Sequence, residues 1–133
     1  MLSSEHQEQV LLFQWASLNE AIYPELKNLF AVPNGGKRPQ KRGSNGKMYS
    51  PTAVRLKAEG LKAGVPDVFL DVPKGNYHGL RIEMKYGKNT TTPEQKNWIE
   101  RLSKYGYYVA ICHSFEEAQS IILAYLKSKN REE

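Results

Sequence analysis

Several features that define large protein classes are missing from this sequence. It has a single cysteine, Cys112, so an internal disulfide and a multi-cysteine zinc or iron–sulfur site are excluded. No apolar run approaches the roughly twenty residues that a membrane-spanning helix needs. The start of the chain carries Glu5 and Glu8 instead of the basic and apolar stretches of a signal peptide. We therefore expect a protein of a reducing, cytoplasmic compartment.

The composition is that of one ordinary globular domain. The chain has 133 residues, of which 40% are hydrophobic and 25% are charged, and both values are close to the average for folded proteins. A chain of this length buries roughly 65–70% of the surface that its unfolded form exposes. No internal repeat or low-complexity tract is present. We therefore expect a single domain over residues 1–133.

Positive charge is concentrated in one block of the sequence. The net charge is +5, and residues 37–62 contain eight Lys or Arg side chains against the single acid Glu59. Such a block favours a polyphosphate partner, because each Lys or Arg releases condensed counterions from nucleic acid. A solubilising loop is the alternative, and residues 35–49 have the composition of a basic mobile loop. The candidates for contact with a DNA backbone are Lys37, Arg38, Lys41, Arg42 and Lys57, with Arg81 as a weaker one.

Capping residues and hydrophobic periodicity predict a mixed α/β fold. The predicted order is helix, strand, helix, strand, strand, helix, strand, helix. Helices are expected to start after Ser4, Ser50, Thr92 and Ser114, and the first should run to Pro24. Strands are expected at residues 29–32, 68–72, 79–86 and 107–112, the middle two as an antiparallel hairpin.

Charged side chains meet on one face of this predicted hairpin. Glu83 and Lys85 alternate with the apolar residues of their strand and therefore share a face, and Asp67 lies at the start of the partner strand. Two carboxylates from adjacent strands suit a hard cation such as Mg²⁺. A neighbouring lysine can orient or deprotonate a water and stabilise negative charge. The alternative is a surface salt bridge on a solvated strand.

The sequence resembles the VRR-NUC branch of the PD-(D/E)XK nucleases over most of its length. The segments that carry the resemblance are residues 5–9 (EHQEQ), 32–36 (VPNGG), 62–67 (KAGVPD), 82–85 (IEMK) and 92–95 (TPEQ). The resemblance implies a restriction-endonuclease-like core, which is a mixed central sheet flanked by helices. It also implies hydrolysis of phosphodiester bonds in DNA with Mg²⁺ or Mn²⁺.

The resemblance assigns roles to the hairpin residues. Asp67 and Glu83 are implied as metal ligands, together with the backbone carbonyl of Met84, and Lys85 is implied to position the attacking water.

The resemblance also implies an acid and a glutamine elsewhere in the site. Glu5 fits the acid of the first helix, because Gln9 follows it as in the family pattern, and Glu8 is the competitor. Glu5 could instead only stabilise the start of the helix. Gln95 is implied to reach the active site, and it could equally be the third residue of a capping box opened by Thr92.

Small stand-alone members of the family resemble homodimeric Holliday-junction resolvases and are often phage-encoded. The resemblance therefore implies a homodimeric endonuclease for branched DNA, acting in a bacterial cytoplasm. A DNA-binding module without catalysis and a restriction-type or exonucleolytic enzyme on the same fold remain as alternatives, because fold alone does not decide function.

Overall fold

The computed structural model describes residues 4–33 and 41–129. Four α-helices, one 3-10 helix and six strands lie in these residues. The α-helices are α1 (Glu5–Leu18), α2 (Pro51–Ala58), α3 (Pro93–Lys104) and α4 (Phe115–Leu126). The strands are β1 (Leu29–Ala31), β2 (Lys41–Arg42), β3 (Met48–Tyr49), β4 (Val68–Leu70), β5 (Leu80–Met84) and β6 (Tyr108–Cys112), and the 3-10 helix is Pro24–Asn28. The predicted mixed sheet flanked by helices is confirmed.

A four-stranded sheet with the order β1-β4-β5-β6 forms the centre of the fold. β4 pairs with β1 and with β5 in antiparallel register, whereas β5 and β6 run parallel. A parallel pair needs a crossover connection, and α3 supplies it. β5 is therefore an interior strand, and all five of its residues are buried.

The apolar core lies between this sheet and the pair α1 and α4. Leu12 and Ala16 of α1 and Ile122 of α4 are almost fully buried and pack with Ile82 and Met84 of β5. Within the described residues, none of the helices combines the length and the apolar character that a membrane span requires.

The first helix is shorter than the sequence predicted. It ends at Leu18 rather than continuing to Pro24. The Asn19 side chain donates a hydrogen bond to the Trp15 carbonyl at 2.8 Å, and the next turn is closed by Ile22 N–H on the Asn19 carbonyl. Asparagine offers the backbone local partners of this kind, and this competes with continuation of the helix.

The segment predicted as a basic loop contains additional secondary structure. Within residues 41–49, β2 and β3 pair as a small antiparallel sheet. Gly46 lies between them at φ 81°, a left-handed conformation that favours glycine. The other half of that segment, residues 34–40, lies outside the described residues.

Candidate active site

Asp67, directly before β4, lies opposite Glu83 of β5. The β4–β5 register pairs Val68 with Ile82, so the next pair along the antiparallel strands is Asp67 and Glu83. Side chains in such pairs lie on the same face, with Cβ atoms roughly 4.5–5.5 Å apart. The Met84 N–H also donates a hydrogen bond to Asp67 Oδ2 at 2.8 Å. The hairpin thus brings the two carboxylates together, and both are buried.

Lys85 follows Glu83 by two positions and lies on the same face at the end of β5. Its side chain is buried, with 9% of the residue exposed. Arg81, at the other end of this face, is also buried, forms an ion pair with Asp71 at 2.9 Å and lies over the rings of Phe69 and Tyr107. The alternative of a surface salt bridge on a solvated strand is therefore wrong, because this face is buried and Arg81 pairs with Asp71 rather than with Glu83.

Glu83 is the most strongly perturbed carboxyl group of the site. Its burial, with 2% of the residue exposed, is the main reason why the pKa of Glu83 is raised to about 9. The facing Asp67 carboxylate raises this pKa further, Glu5 adds a smaller contribution, and Lys85 lowers it. Neutral Glu83 is favoured as long as no further positive charge is present.

Gln95 links the start of α3 to the carboxylate pair. Its Nε2 donates a hydrogen bond to Glu83 Oε2 at 3.1 Å. The same side chain completes a capping box, since its Oε1 accepts a hydrogen bond from the Thr92 N–H at 2.8 Å. Gln95 therefore makes both contacts at the same time: the capping box with Thr92 and the hydrogen bond to Glu83.

The two acids of α1 have different surroundings. The pKa of Glu5 is raised by partial burial and by the Asp67 carboxylate and is lowered by Lys85, so Glu5 lies within the field of the carboxylate pair. Glu8 is buried and its Oε1 accepts a hydrogen bond from the Phe115 N–H at 3.0 Å, at the start of α4. The two residues of this contact are 107 positions apart in the chain, and no sequence pattern predicts it.

The described side chains around Asp67 and Glu83 do not by themselves form a full set of metal ligands. Among the residues that the structure describes, no group of three or more His, Cys, Asp or Glu side chains is arranged to hold a metal ion. A cation at the carboxylate pair would therefore need backbone, water or substrate oxygens as further ligands. Mg²⁺ usually binds in this way.

The predicted DNA contacts are described only in part. Lys37 and Arg38 lie outside the described residues, and Lys41 and Arg42 form β2. Lys57 of α2 is exposed and lines a groove of about 660 Å³. Gln95 lines the same groove, together with Lys62 and Gly64, and Gln95 is also the residue that donates a hydrogen bond to Glu83. Arg81 is a poor candidate, since Asp71 and two rings hold it within the protein.

Two comparisons with known proteins find the same domain. A family model described as the VRR-NUC domain matches residues 5–116. A solved structure titled "VRR_NUC domain protein" is 28% identical in sequence and superimposes with a TM-score of 0.77; the match covers 98% of this chain and 93% of that one. A comparison with curated proteins finds no match. The family match includes both hairpin carboxylates and the start of α3.

Proposed function

This chain belongs to the VRR-NUC family, a nuclease family of the PD-(D/E)XK type, and from this premise we propose that it is a metal-dependent endonuclease that hydrolyses phosphodiester bonds in branched DNA. The observation that carries the proposal is the buried cluster where β4 begins and β5 ends. Asp67, Glu83 and Lys85 are all nine-tenths or more buried, and charged groups are rarely buried together unless they form ion pairs, bind a ligand or react.

A divalent cation fits the carboxylate pair. Glu83 Oε1 is buried and has no hydrogen-bond partner among the described residues, which leaves one acceptor oxygen open to a ligand. Removal of a buried acceptor from water without a partner is unfavourable, and a cation would relieve both this penalty and the repulsion from Asp67. We assign Asp67, Glu83 and the Met84 carbonyl as the groups that hold Mg²⁺ or Mn²⁺.

Each remaining residue of the site has a distinct role in this proposal. The bound cation would supply Lewis-acid activation of the phosphodiester and of water. Lys85 positions the attacking water and stabilises the negative charge that develops on the phosphate oxygens. Glu5 is assigned as the acid of the first helix rather than Glu8, because Glu8 is engaged with the start of α4. Gln95 orients Glu83.

The function is tested with a panel of labelled DNA substrates. Four-way junction, flap, linear duplex and single strand are incubated with Mg²⁺ or Mn²⁺ and, in parallel, with EDTA. We expect internal cuts in the junction or the flap with either metal and none in EDTA, since the cluster depends on a cation. Undiminished cleavage in EDTA would contradict the metal assignment, and cuts only from free ends would favour an exonuclease.

We predict that the basic residues of segment 37–42 supply DNA affinity that does not depend on the DNA sequence. Replacement of Lys37, Arg38, Lys41 and Arg42 by alanine should weaken binding to every substrate. Each lost phosphate contact should reduce the slope of log affinity against log salt by about 0.9 on duplex DNA. The measurement is a titration of labelled junction over a series of salt concentrations. An unchanged slope would show that the segment does not contact DNA.

We further propose a homodimer, because symmetric cutting of a four-way junction requires two active sites and the described residues of one chain form a single site of this kind. Light scattering at micromolar protein should give about twice the chain mass of 15.2 kDa. A monomer both in the free state and on the junction would instead favour an enzyme that makes single nicks.

A further inference from the structure

The amide of Gln95 has a defined orientation. Its Oε1 accepts the Thr92 backbone N–H at 2.8 Å, and its Nε2 donates to Glu83 Oε2 at 3.1 Å. A glutamine amide has one acceptor end and one donor end. The bond to Thr92 therefore directs the donor end towards Glu83. An amide turned by 180° would bring its oxygen against the carboxylate and would lose both hydrogen bonds.

This hydrogen bond makes the two oxygens of Glu83 unequal. Oε2 has a donor, whereas Oε1 is buried and has no hydrogen-bond partner among the described residues. A carboxylate whose second oxygen is held in this way presents its other oxygen in a fixed direction. Hydrogen bonds of this outer kind orient ligands at metal sites and tune their affinity.

A second contact fixes the start of α3 relative to Asp67. Gly64 has φ +86°, and a Cβ atom there would lie 2.6 Å from the Glu94 carbonyl carbon and 2.8 Å from the Gln95 nitrogen. The Trp98 indole also donates a hydrogen bond to the Ala63 carbonyl at 3.0 Å. The loop that leads into Asp67 thus lies directly on the backbone turn that carries Gln95.

We propose that Gly64, Thr92 and Gln95 form a positioning unit for Glu83, in which Oε2 is held by Gln95 so that Oε1 alone serves as the metal ligand. In this unit, Gly64 sets the spacing between the loop and α3, and the Thr92 backbone N–H sets the direction of the amide. The inference rests on the function proposed above, and it adds a role for the capping box beyond the stability of α3.

A series at Thr92 separates the backbone donor from the side-chain cap. Thr92→Ser keeps both groups, Thr92→Ala removes only the hydroxyl that accepts from the Gln95 N–H at 3.2 Å, and Thr92→Pro removes the backbone N–H as well. Proline suits this position, because Thr92 has φ −78° and ψ 165°. We expect Thr92→Ala to lower the melting temperature with little change in metal binding. Thr92→Pro should weaken Mn²⁺ binding and lower kcat by about 10- to 100-fold, with KM for DNA nearly unchanged.

A glycine pair tests the loop contact independently and covers the case in which Thr92→Pro does not fold. Gly60→Ala is the matched control, because Gly60 has φ +108° and no atom within 4 Å of an added Cβ. Both variants carry backbone strain, but only Gly64→Ala pushes the loop away from α3. We expect Gly60→Ala to retain the wild-type Mn²⁺ affinity and Gly64→Ala to lose about tenfold or more.

Mn²⁺ affinity is measured by electron paramagnetic resonance of the free ion, so the test does not depend on cleavage. Equal Mn²⁺ affinity and kcat for Thr92→Pro and Thr92→Ala, or equal affinity for the two glycine variants, would overturn the positioning unit while the metal site itself stands. A wild-type protein that binds no Mn²⁺ would overturn both the unit and the proposed function.

Discussion

Replacement of Lys85 by methionine is expected to slow cleavage by about 10²–10³-fold, which corresponds to roughly 3–4 kcal/mol of barrier. Methionine keeps most of the apolar stem and removes the charge. Lys85 is buried beside Asp67 and Glu83, so its charge acts where water screens little and where negative charge would develop. The measurement is single-turnover cleavage of the junction that the wild type cuts.

Two controls separate catalysis from binding and folding. Lys88→Met changes an exposed lysine three residues further along the chain and should cleave like the wild type. Junction affinity of Lys85→Met should fall little, since one phosphate contact is a small part of the electrostatic total, and its melting temperature should stay close to that of the wild type. A Lys85→Met protein that folds, binds and cuts normally would remove the catalytic role of this lysine.

Substitution of Glu83 by glutamine is expected to abolish cleavage and to stabilise the metal-free protein at alkaline pH. The folded pKa of Glu83 is about 9, whereas glutamate in an unfolded chain titrates near 4.3. Between these values the folded state holds a proton that the unfolded chain has released. The metal-free wild type should therefore lose stability as the pH rises through this window. Glutamine cannot ionise, so this loss should be smaller in Glu83→Gln.

Thermal melts in EDTA from pH 5 to pH 9 measure this effect. At pH 8 the melting temperature of Glu83→Gln should exceed that of the wild type by about 5 °C or more. Added Mg²⁺ or Mn²⁺ should raise the melting temperature of the wild type and leave the variant nearly unchanged. Glu100→Gln, at an exposed position of α3, is the control. A variant that melts below the wild type at pH 8 would contradict the raised pKa of Glu83 in the folded state.

Local chemistry made the helix starts predictable. Ser4, Ser50, Thr92 and Ser114 all accept a hydrogen bond from the backbone N–H three residues later, as the capping patterns predicted. Such contacts involve neighbours in the chain, so sequence spacing contains the information. The alternation of β5 also predicted which of its side chains share a face, because it depends only on the pleat of one strand.

Burial and long-range contacts were not predictable in the same way. Lys85 and Arg81 have the composition of a solvated strand face, yet both are buried. Arg81 is covered by the rings of Phe69 and Tyr107, which come from other segments of the chain. The role of Gly64 depends on its approach to Gln95 across 31 positions of the chain. Hydrophobic periodicity and capping patterns describe one segment and its neighbours in the chain. They do not predict which distant segments pack against each other.

The contact between Glu8 and the Phe115 N–H has a consequence for the order in which the protein is made. α1 carries Glu5, but its buried acid Glu8 finds this partner only where α4 begins, 107 residues later. During synthesis from the N-terminus, α1 cannot take its final place until α4 has left the ribosome. Both carboxylates of the hairpin precede α4 in the chain, whereas the helix that carries Glu5 is fixed in place only once α4 is available. Contacts of such high sequence separation form late and slow the folding of small domains, so Glu5 should reach the carboxylate pair in one of the last steps of folding.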